Sequence, residues 1–386
     1  MSLPTPDTVR ILASRATEEN VMKRVCLYLP VIPVLIFVLF ATNTCWGQER
    51  TTVTDTANRS VEVMLNPKRI ICLAPGTLRL ICLLRATDNL VGIEDFEKTR
   101  PTTRPYILAN SDLTKLPIVG PGGPGSINSE PDLEAVLKVR PDVIFISYMD
   151  ATKADALQRK SGILVIVLTH GRFASFDERV YDSLRIAGKI LNREQRAEEV
   201  IAFIEKSRED LQNRSASVTS DKKPTVYAGA IGYKGVQGIE STDSSYTPLE
   251  WVHAKNVAKS ISEKGHLFID KEQLLRLNPD VIFIDGGGLS VVRQDIARNP
   301  AFYGGLKAVQ NKRIYVLYPF NYYVTNIGIA IADAYTVGKI LYPDRFSDIE
   351  IPAKADEIFT FLYGKPVYEK LKTELGDLGH WSDFGL

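Results

Sequence analysis

Residues 134–146 and 272–284 spell nearly the same sequence twice. The first reads Glu134-Ala-Val-Leu-Lys-Val-Arg-Pro141-Asp142-Val-Ile-Phe-Ile146, the second Glu272-Gln-Leu-Leu-Arg-Leu-Asn-Pro279-Asp280-Val-Ile-Phe-Ile284. Each predicts a short amphipathic helix, a Pro-Asp stop and a buried strand of continuous apolar residues. The match extends to an acid near each helix start, which a generic βα pattern does not demand. A chain that repeats one βα unit across this separation is constrained to two similar α/β lobes. Paired lobes usually work in the cleft between them.

A length of 386 residues accommodates two domains, and 45% apolar with 24% charged residues is ordinary for a globular chain. A net charge of +1 without a long basic run leaves no electrostatic footprint for nucleic acid, so none is expected as a partner.

The N-terminus carries a targeting signal. Val25 to Ala41 is almost wholly apolar, follows Met22-Lys23-Arg24, and gives way to small and polar residues up to Gly47. A basic start, a short apolar run and a small-residue exit describe a secretory signal peptide. Pro30 and Pro33 argue against a stable spanning helix. Translation is expected to start at Met22, with cleavage after Gly47; an uncleaved anchor is the alternative. Of the four cysteines, Cys72 and Cys82 remain in the mature chain. They read as two buried free thiols, with a disulfide in an oxidising compartment as the alternative. No Cys or His pair has zinc-ligand spacing, and no metal ligands are assigned.

Four regions follow: the upstream extension and signal peptide (1–47), an N-terminal α/β lobe (48–190), a connecting helix (191–217) and a C-terminal α/β lobe ending in helices (218–386). A hairpin with an Asp/Asn turn opens the first lobe at residues 50–65. Strands follow at 68–74, 90–93 and 163–168, beside the first repeat copy. The second lobe runs from Thr225 through the second copy to Leu317. Apolar residues at Ala197, Val200, Ile201, Ile204 and Leu211 make the stretch from Asn192 to Arg214 one long helix. The fold class is α/β: two Rossmann-like lobes with mainly parallel sheets, one long connecting helix and a ligand cleft between the lobes.

This layout resembles the extracytoplasmic substrate-binding proteins of iron-chelate and vitamin B12 ABC importers. Four stretches carry the resemblance: Val53-Thr-Asp55 with Arg59-Ser-Val61 running to Pro67-Lys-Arg-Ile70; Leu133 to Ile146; Asn256-Val257-Ala258 leading to Glu272 and Asn278-Pro279-Asp280; and the terminal strand with its helix. The resemblance implies limited lobe closure around a stiff helix, an ABC importer permease dimer at the membrane as partner, and a periplasmic or extracytoplasmic location, free or tethered. It also implies permease docking through one acid per lobe, at Glu134 and Glu272. Two like charges on related lobes suit a two-fold partner. Each acid also offsets the dipole of the helix it begins, worth about 0.3–1 kcal/mol. Many relatives place Thr-Glu where this chain has Leu78-Arg79. Arg79 is therefore either a cleft-side fork for carboxylate or phosphate, or a solvated surface residue.

Ligands of open α/β sheets lie beyond the carboxyl ends of the strands. Those ends nominate Arg79, Tyr148 and Arg172 in the first lobe and Tyr233, Tyr246, Tyr318, Tyr322 and Tyr323 in the second. Tyrosine offers both an aromatic face and a phenol. For the run from Tyr318 to Tyr323 three roles compete: coordination of Fe(III), stacking on a chelate or tetrapyrrole, and loop packing. The expected function is a receptor for a chelated metal compound (a ferric siderophore, haem or a corrinoid). Alternatives are a receptor for bare ferric, zinc or manganese ion, and an exported α/β enzyme. Neither glycine loop has nucleotide-binding spacing, no G-x-S-x-G elbow occurs, and no catalytic residue or resident cofactor is assigned.

Overall fold

The computed structural model describes residues 49–386 except 100–102, 173–174, 264 and 381–386. The proposed signal peptide and its cleavage site lie outside the described residues. The chain opens with an antiparallel hairpin, β1 (Arg50–Thr54) and β2 (Ser60–Met64), in which Val53 faces Val61 across the pair. Its turn explains the Asp55–Arg59 motif. One Asp55 oxygen accepts the amides of Ala57 and Arg59, and the other takes the Arg59 guanidinium at 3.0 Å and the Val167 amide at 3.1 Å. The Asp55–Arg59 motif thus docks the hairpin onto the next sheet.

That sheet holds β3 (Ile70–Leu73), β4 (Val143–Ser147) and β5 (Leu164–Leu168), all parallel, with β4 in the middle. The second lobe adds β6 (Thr225–Gly229), β7 (Ser241–Asp243), β8 (Lys255–Asn256), β9 (His266–Phe268), β10 (Val281–Asp285) and β11 (Ile314–Leu317). Its main sheet runs β11-β10-β6-β8, again parallel, while β7 and β9 form an antiparallel pair. The two repeat copies supply β4 and β10, and every residue of both strands is buried. Continuous apolar runs are what strands covered on both faces require.

The Pro-Asp pairs do the same work in both lobes. Asp142 accepts the amides of Lys68 and Arg69 just before β3. Asp280 accepts the amide and hydroxyl of Thr225 at the start of β6. Each aspartate fixes where two adjacent parallel strands begin, so the repeat encodes register as well as burial.

The lobes are joined by the helix Glu194–Ala216, which buries Ala197, Val200, Ile201, Ile204 and Leu211, the face expected from their spacing. It begins two residues later than expected because Asn192 turns left-handed at φ 54°. The expected strand at 90–93 reduces to isolated bridges at Leu90 and Ile93. One hydrophobic cluster runs from Val53 through the connecting helix to Leu378 and includes Cys72 and Cys82, both free thiols. Among the described residues no helix is long and apolar enough to cross a membrane.

Candidate functional site

The carboxyl ends of the strands converge where the segment after β11 meets the N-terminal lobe. Gly76 begins the helix Thr77–Leu83 with φ 82°, a conformation that glycine adopts without strain. Arg79, one turn in, is fully buried. Its Nη1 donates to the carbonyls of Val324 (3.0 Å) and Thr325 (2.6 Å), and its Nη2 to those of Tyr322 (3.2 Å) and Tyr323 (3.1 Å). Burial rules out the solvated-surface reading: Arg79 bridges the lobes by gripping backbone oxygens.

Tyr323 inserts from the other side. Its hydroxyl donates to Glu94 Oε2 at 2.7 Å and accepts the Gly123 amide at 3.0 Å. Glu94 Oε1 accepts the Ala74 amide, so both carboxylate oxygens are engaged. Phe96 packs against the Tyr323 ring at 4.7 Å, and the Arg104 guanidinium lies over Phe96, Tyr322 and Tyr323 at 4.7, 5.5 and 5.3 Å. Arg104 pairs with buried Glu97 at 3.0 Å, and Glu97 also accepts the Tyr106 hydroxyl. Beside Glu94 a cleft of about 290 Å3 opens at the ends of β3 and β4, lined by Ala74, Ile146, the 120–126 loop and Asp132.

The geometry sorts the proposed ligand residues into groups. Arg79, Tyr322 and Tyr323 come together at the lobe junction. Tyr148, half-buried at φ 57°, donates its amide to Leu168, close to the loop that carries Arg172. Arg172 is exposed and pairs with Asp177 at 3.6 Å. Tyr233 sits on an outer ledge, its ring stacked on His266 at 4.0 Å and edge-on to the exposed Phe268. Tyr246 and Tyr318 do not line the junction. Tyr246 is 1% exposed against Phe320, and Tyr318 directs its hydroxyl to the Gly376 carbonyl while its amide donates to buried Asp333. Both serve the core of the C-terminal lobe.

Phe96, Arg104 and His266 were not singled out by the sequence, whereas Glu94 stands among its strand ends. Glu94 was discernible as an acid directly after an apolar run, at the position where a strand ends. Arg104 lies between Thr103 and Pro105 and gives no such signal. Glu134 and Glu272 are exposed, each the second residue of a helix capped by Asp132 or Asp270. A helix that feeds a parallel strand runs opposite to it, so both acids lie toward the carboxyl edge of their sheet.

Burial shifts two groups in opposite directions. The Glu94 carboxyl is pushed up to about 7, chiefly by desolvation, despite its hydrogen bonds from Ala74 and Tyr323. His170, buried with Nε2 3.1 Å from the Gly76 carbonyl, is pushed down to about 3 by desolvation and the nearby Arg79. It is therefore neutral and donates Nε2–H to that carbonyl. For Glu94 the folded state holds its proton more tightly than the unfolded chain. Its stabilising contribution is complete below the ordinary carboxyl value of 4.5 and is lost as pH rises through about 7. Glu94→Gln mimics the protonated form. Its stability relative to wild type should therefore rise between pH 5 and 8, by up to about 3 kcal/mol. Urea unfolding at both pH values checks this, and a constant gap would contradict it.

Known proteins share this architecture. An uncharacterized ABC transporter substrate-binding lipoprotein of Bacillus subtilis, YvrC, is 24% identical over 77% of this chain and 87% of its own. The Fe(3+)-citrate-binding protein YfmC of the same organism is 26% identical over 64% of this chain and 72% of its own. The Haemophilus influenzae molybdate-binding protein MolA, solved with molybdate bound, superposes with a TM-score of 0.63 at 20% identity, covering 82% of this chain and 98% of that one. Residues 70–319 match the sequence profile described as periplasmic binding protein, a range that includes both repeat copies. The resemblance read from the four motifs holds at family level: this chain belongs to the periplasmic binding protein family.

Proposed function

We propose that this chain is an extracytoplasmic receptor that captures a chelated metal compound or metal oxyanion and delivers it to an ABC importer, without turning it over. The observation that carries the reading is the lobe junction: two α/β lobes joined by one long helix bring guanidinium and backbone N–H donors to one place. Those donors suit a metal already surrounded by oxygen. The relatives support the class of cargo, since one is named for ferric citrate and another holds molybdate. Glu134 and Glu272 are the residues proposed to meet the permease dimer, and the family supports an extracytoplasmic location.

The test is import. Cells from which the gene is deleted should take up radiolabelled ferric citrate or molybdate more slowly, with recovery on complementation. Unchanged uptake of both compounds and of a ferric hydroxamate would reject the receptor role. Chemical conversion of any of them by the purified chain would favour the enzyme alternative.

A further inference from the structure

The junction is already occupied, and its occupant is the chain itself. Four successive carbonyls, those of Tyr322 to Thr325, converge on the Arg79 guanidinium, while the Tyr322 and Tyr323 rings lie against Arg104. Two N-terminal-lobe arginines thus hold one short C-terminal-lobe segment.

The segment satisfies them incompletely. Among the described residues, Arg79 Nε and Arg104 Nε and Nη2 have no acceptor, although both side chains are fully buried. An unmatched buried donor is costly, and more so when the group is charged. Charge is unmatched as well. Glu97 is the one carboxylate paired with either guanidinium among the described residues, and carbonyl oxygens carry only partial charge. The segment is also strained, with Tyr323 at φ 57° and β-branched Val324 at φ 59°. Such conformations persist when surrounding contacts enforce them, and they collect at ligand clamps and switches. The enforcing contacts are the Arg79 bonds, the Tyr323–Glu94 bond, and Thr325 Oγ1 on the Ser175 carbonyl.

We infer that Tyr322–Thr325 is a resident competitor seated on the anion-binding groups Arg79 and Arg104, and that an anionic, oxygen-rich ligand gains entry by displacing it. This rests on the receptor reading and narrows it to anionic cargo. Carboxylate or oxo groups satisfy a guanidinium in a bidentate manner and supply the missing charge. Displacement also releases the two left-handed residues. The apparent affinity is then the intrinsic affinity multiplied by the fraction of molecules whose segment has left.

Tyr323→Phe tests this with a near-isosteric change. It removes the hydroxyl that anchors the segment to Glu94 and to the Gly123 amide and leaves the ring in place. With the chain from Gln48 to Leu386, ferric citrate and molybdate are titrated into wild type and variant, and urea midpoints verify that both are folded. The expected result is tighter binding by the variant, about fivefold or more for the probe that wild type binds. Equal or weaker binding would overturn the inference, since the phenol would then be neutral or itself a ligand contact. Wild type that binds a neutral ferric hydroxamate but neither anionic probe would overturn it and leave the receptor reading intact. Failure of both forms to bind any of these compounds would overturn both.

Discussion

Glu134→Ala combined with Glu272→Ala should lower import at least tenfold while leaving solution affinity for the cargo within about twofold. Both acids are exposed at the starts of equivalent helices, and neither belongs to the network around Arg79 and Tyr323. Mutating a charge at the rim of an interface acts mainly on encounter and orientation, because such charges steer association rather than fill a pocket. The two positions come from one repeated βα unit, so a two-fold permease would meet each acid with the same basic surface. Each single substitution should therefore retain part of the import rate. The fold should survive, because the helix caps belong to Asp132 and Asp270 and each lost acid removes only about 0.3–1 kcal/mol of helix-dipole interaction. Import assays beside equilibrium binding separate the outcomes. Normal import by the folded double variant would remove the docking assignment, and parallel loss of binding would show that the acids act on the cleft instead.

Gly76→Ala should be strongly destabilising. A Cβ there would meet Val324 Cγ2 at 2.4 Å and His170 Nε2 at 2.5 Å. Neither neighbour can swing away. Val324 belongs to the segment held by Arg79, and the His170 ring is buried with Nε2 on the Gly76 carbonyl. Overpacking costs about 1–3 kcal/mol, and a left-handed alanine adds about 1 kcal/mol more. A total of about 2–4 kcal/mol should appear as a lower urea midpoint. Gly304→Ala is the control, since nothing lies within 4 Å of its added methyl and its φ is not left-handed. It should be neutral or slightly stabilising. Equal effects at the two glycines would mean that the lobes are not in contact at Gly76.

The sequence announced the architecture because each cue was local. Two apolar runs behind Pro-Asp became the middle strand of one sheet and the equivalent strand of the other, and the spacing from Ala197 to Leu211 named the buried face of the connecting helix. Its start was misplaced by a backbone choice at Asn192, which periodicity does not record. The site was less legible, because its contacts join residues remote in sequence. Tyr323 and Glu94 meet across 229 positions, and Arg79 reaches Thr325 across 246. Strand-end position nominated Tyr322 and Tyr323, which the fold places at the junction. It failed for Tyr246 and Tyr318 because it cannot say whether a tyrosine beyond a strand turns outward or back into the core. The aromatic ledge of Tyr233 also needed His266, whose strand pairs with β7 outside the main sheet.

The most direct test of the account is isothermal titration of the chain from Gln48 to Leu386 with ferric citrate, molybdate and a ferric hydroxamate, alongside iron-free citrate. Saturable one-to-one binding of a metal compound, with iron-free citrate much weaker wherever ferric citrate is the cargo, is the predicted result. Heat flow indistinguishable from dilution for all of them, from a chain shown to be folded, would contradict it.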